Sequence, residues 1–280
     1  MKKTNNFFLI HNFNTIPDEL IEMCQDYVIY DCSTDNTVKE KLHNGQYNVI
    51  DVENTGHNIT TYFSYFDEHY DELPEVICLL KGNMIGRHCS KEFFEQVYDN
   101  KTFTFLYDEN QYWGRFSKYN ENKEKNEIGT TFLAMENVYV EKNNSWYVDS
   151  PNHPKKYFND VDDLLRFIYK DPMIPQYCMF SPGACFIVLR EQILKHSREF
   201  YRNLNKIMNY AMDPSFPSEA HQIERILPII FTSLCEVNDW MNDEAAFEAK
   251  LPECSAYIQY KWENRPRKFK KLRQVLGLIK

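Results

Sequence analysis

Two carboxylates, a histidine and an arginine share one helix-like segment in the second half of the chain. Residues 218–228 read Ser-Glu-Ala-His-Gln-Ile-Glu-Arg-Ile-Leu-Pro. At about 100° per residue, Glu224 projects within about 40° of Ala220, on the apolar stripe that such a helix turns toward the core. A carboxylate there is costly unless it is paired or used in chemistry. We therefore interpret Glu224 as the first candidate for a general base that deprotonates a hydroxyl group, and Glu219 as the second.

Other interpretations of this segment stay open. An ion pair between Glu224 and an arginine of the core would also explain a carboxylate on the inward stripe. His221 and Arg225 could bind a phosphate or an accepting molecule, but taken alone each is better explained as a residue on a solvated helix surface. Ser218 is a candidate N-cap, and Pro228, which cannot donate to the carbonyl of Glu224, predicts a bend.

A second group of polar residues follows apolar runs that are typical of β-strands. Ligands of open α/β sheets bind beyond the carboxyl ends of the strands, so we expect these residues to line a binding site. An Asp or Asn there can accept a hydrogen bond from a base or ribose, a Lys can neutralise a diphosphate, and a Gly lets the backbone approach a ligand. The candidates are His11, Asn12, Asp31, Lys81, Gly82, Asn83, Arg87 and His88. Ordinary turn and surface-loop roles remain the alternative.

The segments between these residues alternate between strand-like and helix-like patterns. Strand-like runs lie at 7–10, 27–30, 49–52, 76–80 and 184–189, and helix-like stretches at 17–25, 59–70, 199–212 and from about 218. This alternation predicts an α/β fold with a Rossmann-type, mostly parallel central sheet flanked by helices. The polar stretch 112–152 predicts loops and a lid.

Length and charge suggest one domain with a distinct end. The 280 residues fit a single α/β domain, 1–258, followed by a tail, 259–280. The last 20 residues hold eight Lys or Arg and one acid, Glu263, whereas the whole chain has a net charge of −9. An acidic body argues against nucleic-acid binding. The tail predicts a basic amphipathic helix that lies on an anionic membrane surface, or alternatively docks on the domain or on a second subunit.

Cysteine spacing and the N-terminus indicate the compartment. The eight cysteines form no Cys-x-x-Cys pair, and we interpret them as reduced, mostly buried thiols. The first apolar run, 7–10, is too short for a signal peptide or a membrane span. We therefore expect a cytoplasmic protein, peripheral on the inner face of the membrane.

Two blocks of sequence carry a resemblance to a known family. The first contains Gly-His-Asn-Ile-Thr-Thr-Tyr-Phe at 56–63, His-Tyr-Asp-Glu-Leu-Pro-Glu at 69–75 and the strand end 80–83. The second contains Pro-Gly-Ala-Cys-Phe-Ile-Val at 182–188 and continues to 231. Together they resemble a diverged family of uncharacterised fungal, plant and bacterial proteins related to GT-A glycosyltransferases, including capsule and lipopolysaccharide enzymes. The resemblance implies a GT-A-like fold and a nucleotide-sugar donor.

The GT-A pattern also bears on metal use and on the acceptor side. It places Asp-x-Asp after a central strand, where this chain has Lys-Gly-Asn at 81–83. This departure argues against metal dependence, with Mg²⁺ or Mn²⁺ as the open alternative. Asp-Glu-Asn at 108–110 is a poor substitute because its third residue is an amide. Pro-Gly at 182–183, before an apolar strand, further resembles the acceptor-side turn of GT-A enzymes, which implies a place for Gly183 on the acceptor side.

The function implied is glycosyl transfer of the hexosyltransferase type. A sugar would pass from a nucleotide-sugar donor to a bacterial surface glycan, capsule or lipopolysaccharide, or to its lipid-linked precursor. We expect inversion by direct displacement, with retention left open. The alternatives are transfer of another nucleotide-activated group to the same glycan, and a catalytically inactive carbohydrate-binding subunit.

Overall fold

A computed structural model describes residues 2–108, 133–135, 138–143, 155–210 and 217–256, with the backbone alone at 133–135 and 142. The strands are β1 (Phe7–Asn12), β2 (Tyr27–Asp31), β3 (Val49–Asp51), β4 (Val76–Lys81), β5 (Thr104–Phe105), β6 (Leu133–Met135), β7 (Val138–Lys142), β8 (Tyr177–Phe180) and β9 (Phe186–Leu189). The α-helices are α1 (Asp18–Ile21), α2 (Asn36–Asn44), α3 (His57–Glu68), α4 (Lys91–Val97), α5 (Val161–Ile168), α6 (Arg190–Ile193), α7 (Arg198–Met208), α8 (Ser218–Thr232) and α9 (Glu244–Lys250). Short 3₁₀ helices occupy Tyr70–Glu72, Asp239–Asn242 and Leu251–Glu253.

A six-stranded sheet forms the centre of the molecule, in the order β3-β2-β1-β4-β9-β5. Strands β1 to β4 are parallel, and β9 runs antiparallel to both β4 and β5. The expected mixed α/β fold with a mostly parallel sheet is confirmed. The chain builds β1, β2 and β3 in one direction and then returns to place β4 on the other side of β1. The strand order therefore reverses between β1 and β4.

Strand β1 shows why the apolar runs were readable as strands. Leu9 faces one hydrophobic cluster, while Phe8 and Ile10 face a second cluster on the opposite side of the sheet. All three side chains are 0% exposed. A strand covered on both faces needs an apolar residue at every position, because successive side chains alternate between the faces.

Helices cover both faces of this sheet. Helices α3, α7 and α8 contribute side chains to the cluster around Leu9, and α2 and α4 contribute Leu42 and Phe94 to the cluster around Phe8. Burial of these large apolar side chains is the main stabilising contribution, roughly 1.5–3 kcal/mol for each Leu, Ile or Phe. The central sheet is thus a rigid support for the loops at its edges.

A second, antiparallel sheet has the order β6-β7-β8. The prediction of loops and a lid over 112–152 is wrong at β6 and β7, and 112–132, 136–137 and 144–152 lie outside the described residues. The polar composition misled because Glu141 of β7 is a buried residue, 1% exposed. An ion pair with a distant arginine permits that burial, and local composition does not reveal it.

Several helix ends differ from the predicted ones. Helix α1 is only four residues long, against the predicted 17–25. Helix α8 begins at Ser218 as expected, but its N-cap is Pro217, and no side chain caps it, so the predicted role of Ser218 is wrong. The helix continues through Pro228 to Thr232.

The described residues also bear on the predictions about the cysteines and about membrane spans. All eight cysteines are free thiols, six of them buried, which confirms the predicted reduced state. In the part of the chain that the structure describes, no helix is long and apolar enough to cross a bilayer. The tail at 259–280 lies outside the described residues, so its basic helix stays a prediction.

Candidate functional site

The candidate site lies where the strand order reverses. Asn12 ends β1, Asp31 ends β2 and Lys81 ends β4, and neighbouring strands hold these ends side by side: Asn12 is paired with Asp31, and His11 with Lys81. This reversal is the place where open α/β sheets bind ligands. The structure therefore brings together the predicted strand-end residues.

An amide and a carboxylate join the ends of β1 and β2. Asn12 Nδ2 donates to Asp31 Oδ1 at 2.8 Å, and Ser33 Oγ donates to the same oxygen at 2.6 Å. Both Asn12 and Asp31 are 0% exposed. The second oxygen, Asp31 Oδ2, is buried and has no hydrogen-bond donor among the described residues. An unsatisfied buried carboxylate oxygen is costly, and a ligand N–H or O–H would remove that cost.

His11 is a neutral residue in this site. Its Nδ1 lies 2.9 Å from Thr61 Oγ1, and its Nε2 lies 3.4 Å from Cys32 Sγ. Burial, followed by the charges of Lys81 and His57, lowers the pKa of His11 to about 3. The imidazole is uncharged at neutral pH, so His11 supplies no positive charge to this site.

Lys81 is the cation at the end of β4. Its ammonium group makes no hydrogen bond or ion pair with any residue that the structure describes, although the side chain is half-buried. Burial lowers the pKa of Lys81, Arg87 lowers it further, and Cys185 and Glu224 oppose that shift. A half-buried cation without a bonded partner costs stability unless an anion binds to it. Lysines of this kind concentrate at functional sites.

The residues after Lys81 differ from one another in their surroundings. The Gly82 N–H donates to the carbonyl of His11 at 2.9 Å. A Cβ at position 82 would collide with the side chains of Asn12 and Thr15, so glycine is required here by packing between strand ends rather than by a ligand. Asn83 is half-buried and Arg87 is exposed.

Glu224 reaches the site from helix α8. Its Oε1 accepts the Gly183 N–H at 2.7 Å, and its Oε2 lies 3.4 Å from Arg225 Nη1. The side chain is 17% exposed. Burial raises the pKa of Glu224, and the charges of Arg225 and Lys81 oppose this shift without cancelling it. The carboxylate is thus more basic than an ordinary glutamate, as a general base requires.

Glu219, the second candidate base, has a different environment. It is 0% exposed. Its Oε1 accepts the N–H groups of Lys156 and Tyr157 at 2.8 Å each, and its Oε2 accepts the Tyr210 hydroxyl at 2.8 Å. Both oxygens accept hydrogen bonds, which fits a carboxylate that holds the start of α8 against the backbone at 156–157. Glu219 is thus a weaker candidate for a base than Glu224.

The turn before β9 is bound by side chains from two helices, one of these side chains being that of Glu224. Gly183 has φ +86° and Ala184 has φ +54°, so two successive residues are left-handed. Asn58 Nδ2 of helix α3 donates to the Gly183 carbonyl at 2.8 Å, while Glu224 accepts the Gly183 N–H. Side chains from two helices therefore hold both polar groups of one residue. Asn58 and Thr61 were missed as site residues, although both lie in the segment 56–63 that carries the family resemblance.

Replacing Gly183 with Ala is expected to destabilise the protein by more than the roughly 1–2 kcal/mol that a left-handed alanine costs. The reason is that a Cβ there would lie 2.8 Å from Nε2 of the buried His88 ring, which would have to move. Gly86→Ala is the matched control, because Gly86 also has a positive φ, +76°, and no atom lies within 4 Å of its Cβ position. Urea unfolding measures both. Equal losses of stability in the two variants would contradict a steric conflict between the new Cβ and His88.

His221 and Arg225 lie near Glu224 on helix α8. The His221 ring meets the His57 ring edge-on, with centroids 5.6 Å apart. Arg225 is only 6% exposed and pairs with Glu141 at 2.6 Å. A solvated position for Arg225 is therefore wrong. The predicted ion pair of Glu224 with a core arginine exists only as a long contact, since Arg225 is bound more tightly to Glu141.

Metal independence stays a prediction. Within the described ranges, no group of three or more His, Cys, Asp or Glu side chains is placed to hold a metal ion. The segment 108–110 is described only at Asp108.

A cleft at the opposite end of the sheet contains none of these residues. It is lined by Asn6, Val76 at the start of β4, Leu189 at the end of β9 and Arg190. The Asn6 amide donates to the carbonyls of Tyr98 and Asn100, so this part of the polar lining is already satisfied. We place the candidate site by its unsatisfied and charged groups rather than by the size of the cavity.

Comparison with known families gives one match. The model of the family described as "Protein of unknown function (DUF3431)" matches residues 25–256, which is most of the chain and includes α3, the end of β4, the Gly183 turn and α8. No curated protein and no solved structure matches the chain.

Proposed function

We propose that the chain, which belongs to the DUF3431 family of proteins of unknown function, is a glycosyltransferase of the hexosyltransferase type. The donor would be a nucleotide sugar, and the acceptor a hydroxyl group of a surface glycan or its lipid-linked precursor. The observation that carries the proposal is the pair of unlike charges at the strand-order reversal. Lys81 has no bonded anion among the described residues, and the basic carboxylate of Glu224 is close enough to affect the pKa of Lys81.

The donor side of the proposal uses the ends of β1, β2 and β4. Asp31 Oδ2 would accept a hydrogen bond from the base or ribose, since this buried oxygen has no other described donor. Lys81 would bind the diphosphate, and Arg87 and His88 lie in the loop that follows it. Electrostatic stabilisation of a leaving group by a preplaced cation is usually a large contribution to such transfers.

The acceptor side uses helix α8 and the Gly183 turn. Glu224 would remove the proton from the acceptor hydroxyl as its oxygen bonds to the anomeric carbon. The bond from that carbon to the diphosphate breaks, and its electron pair leaves with the diphosphate, which Lys81 stabilises. Direct displacement of this kind inverts the anomeric centre. His221 and Gly183 would line the acceptor side of the same site.

The finer GT-A assignment is also part of this proposal. Its support is that the two sequence blocks that resemble GT-A relatives are the segments that build the site. The first block forms α3 and the end of β4, and the second forms the Gly183 turn, β9, α7 and α8. We extend the assignment to one domain over 1–258, and we propose capsule or lipopolysaccharide as the acceptor class on the resemblance alone.

A donor screen tests the proposal. Nucleotide sugars are ranked by thermal shift, because a ligand at about 100 times its dissociation constant stabilises by ~2.7 kcal/mol. Stabilising donors are then assayed for hydrolysis to free sugar. We expect at least one donor to stabilise the protein and to be hydrolysed slowly. Binding without hydrolysis or transfer would favour an inactive carbohydrate-binding subunit, and no binding by any nucleotide sugar would overturn the proposal.

Turnover is expected to persist in the presence of a chelator. The physical reason is that Lys81 supplies the positive charge at the strand end where a metal motif would otherwise stand. Donor hydrolysis is measured with chelator alone and with added Mn²⁺ or Mg²⁺. Loss of activity with chelator and its return with metal would contradict this part of the proposal.

The basic tail would bring the enzyme to its acceptor. We propose that 259–280 binds anionic membranes, each Lys or Arg contributing ~1 kcal/mol at low salt. The intact chain should sediment with anionic vesicles and release them in high salt, whereas a chain ending at Glu263 should not sediment. Equal sedimentation of both forms would rule out this surface, and unfolding of the shortened chain would favour docking of the tail on the domain.

A further inference from the structure

Glu141 is a buried glutamate outside the set of predicted site residues. It lies on β7 in the small sheet and is 1% exposed. Its Oε1 accepts a hydrogen bond from Arg225 Nε at 2.6 Å, and both side chains are almost fully enclosed. Burial of an ion pair costs desolvation energy, so it is a weak source of stability. A role in the neighbouring site would explain why a strand of the small sheet carries it.

Three contacts with residues that the structure describes orient the Arg225 guanidinium. Nε donates to Glu141, Nη1 donates to the His221 carbonyl at 2.9 Å, and the guanidinium carbon lies 4.7 Å from the centre of the Phe180 ring on β8. In this orientation Nη1 faces Glu224 Oε2 at 3.4 Å. Arg225 is thus bound tightly to one carboxylate and loosely to the other.

We propose that Glu141 is a positioning residue for the base: it holds the Arg225 guanidinium beside Glu224 and prevents the two from forming a close ion pair. The inference rests on the proposed function, because it takes Glu224 as the base. Without the Glu141 charge, Glu224 would be the remaining carboxylate that is seen to contact the guanidinium within the described ranges, and Arg225 would bind it more closely. A carboxylate committed to a close ion pair is a weaker base.

Titratable groups from five parts of the fold are electrostatically coupled to Glu224. They are Arg225 on its own helix, Lys81 at the end of β4, Tyr62 on α3, Cys185 before β9 and Glu141 on β7. Burial has the largest effect and raises the pKa of Glu224, Arg225 and Lys81 lower it, and Glu141 raises it. Removal of the Glu141 charge alone should therefore lower the pKa of Glu224. Removal of the charges of both Glu141 and Arg225 should raise it.

The test is a ¹³C NMR titration of protein labelled at the glutamate carboxyl groups. The Glu224 resonance is assigned by its loss in Glu224→Gln. Glu141→Gln should lower the pKa of Glu224 by about one unit, because one charge is removed at short range. The double variant Glu141→Gln with Arg225→Gln should raise that pKa, because the strongest opposing charge is also gone. Glu219→Gln is the control and should leave it unchanged, since Glu219 hydrogen-bonds elsewhere.

The proposal would be overturned if the pKa of Glu224 moved in the same direction in Glu141→Gln and in the double variant. It would also be overturned if the pKa of Glu224 were unchanged in Glu141→Gln. If Glu141→Gln does not fold, the double variant and Glu141→Asp decide instead. Asp keeps the charge and should preserve the wild-type pKa, whereas the double variant should raise it. An unchanged pKa in the double variant would then overturn the proposal.

The titration does not depend on turnover, which separates the two proposals. If no donor is turned over, glycosyl transfer fails while the shifts in the pKa of Glu224 still confirm or exclude the positioning role of Glu141. If a donor is turned over, the acid limb of the pH–rate profile should move to lower pH in Glu141→Gln and to higher pH in the double variant. A purely structural role of Glu141 would reduce activity without moving the limb.

Discussion

Replacing Glu224 with Gln is expected to reduce turnover by about 10²–10⁴-fold, the usual contribution of a general base, and to leave donor affinity nearly unchanged. Gln can still accept the Gly183 N–H through its carbonyl oxygen, so the turn before β9 keeps its hydrogen bond. It cannot take a proton from the acceptor. Steady-state transfer and donor binding by thermal shift separate the two effects.

Glu219→Gln is the matched control for this experiment. Glu219 lies on the same helix and is also a buried carboxylate, but its oxygens are bound to Lys156, Tyr157 and Tyr210. Its replacement should lower stability more than turnover. Near-normal turnover in a folded Glu224→Gln protein would assign the base to another residue, and a larger loss in Glu219→Gln would reverse the assignment made here.

Replacing Lys81 with Met is expected to lower kcat/KM by about 10²–10³-fold, the range seen when one preplaced electrostatic group is removed from a catalytic site. The substitution removes the charge and fills similar space with an apolar side chain. Because the ammonium is half-buried and has no bonded anion among the described residues, the unliganded variant should be as stable as the wild type or more stable. Thermal unfolding with and without the donor measures both effects.

The pH dependence gives a second measurement for Lys81. Burial lowers the pKa of this lysine, so its charge is lost at a lower pH than that of an ordinary lysine. The charged form binds the diphosphate, and donor affinity should therefore fall as pH rises through the lowered pKa. This fall should be absent in Lys81→Met and should move to higher pH in Lys81→Arg.

Lys91→Met serves as the control for surface charge, because Lys91 is exposed and pairs with Glu19 at 3.5 Å. It should not change donor affinity. Wild-type affinity of Lys81→Met for the donor would remove Lys81 from the site, and with it the observation on which the proposed function depends.

Local pattern was sufficient for the central sheet. Runs such as 7–10 and 76–80 are apolar at every position because both faces of the sheet are covered, so they were recognisable without any partner. The alternation of strands with helices then implied parallel pairing, and parallel pairing placed Asp31 and Lys81 at one edge. The inward position of Glu224 followed in the same way from the helical period.

The roles of the two glutamates of α8 required the tertiary structure. Both lie on one helix, and the sequence offered only their positions along and around that helix. The structure separates them by their partners: Glu219 meets backbone N–H groups near 156, more than 60 positions away, while Glu224 meets the Gly183 turn. A local periodic pattern cannot reveal contacts between residues so far apart in the sequence.

Composition, periodicity and strand-end position by themselves determined the fold class, the edge of the sheet where the candidate residues gather, and the free state of the cysteines. Only the tertiary structure decided that His11 is neutral, that Lys81 has no bonded anion among the described residues, and that Glu141 is buried against Arg225 in a stretch that reads as solvent-exposed. The physical reason is the range of the interactions. Side-chain direction repeats with local geometry, whereas desolvation and ion pairing depend on residues that the fold brings together from distant parts of the chain.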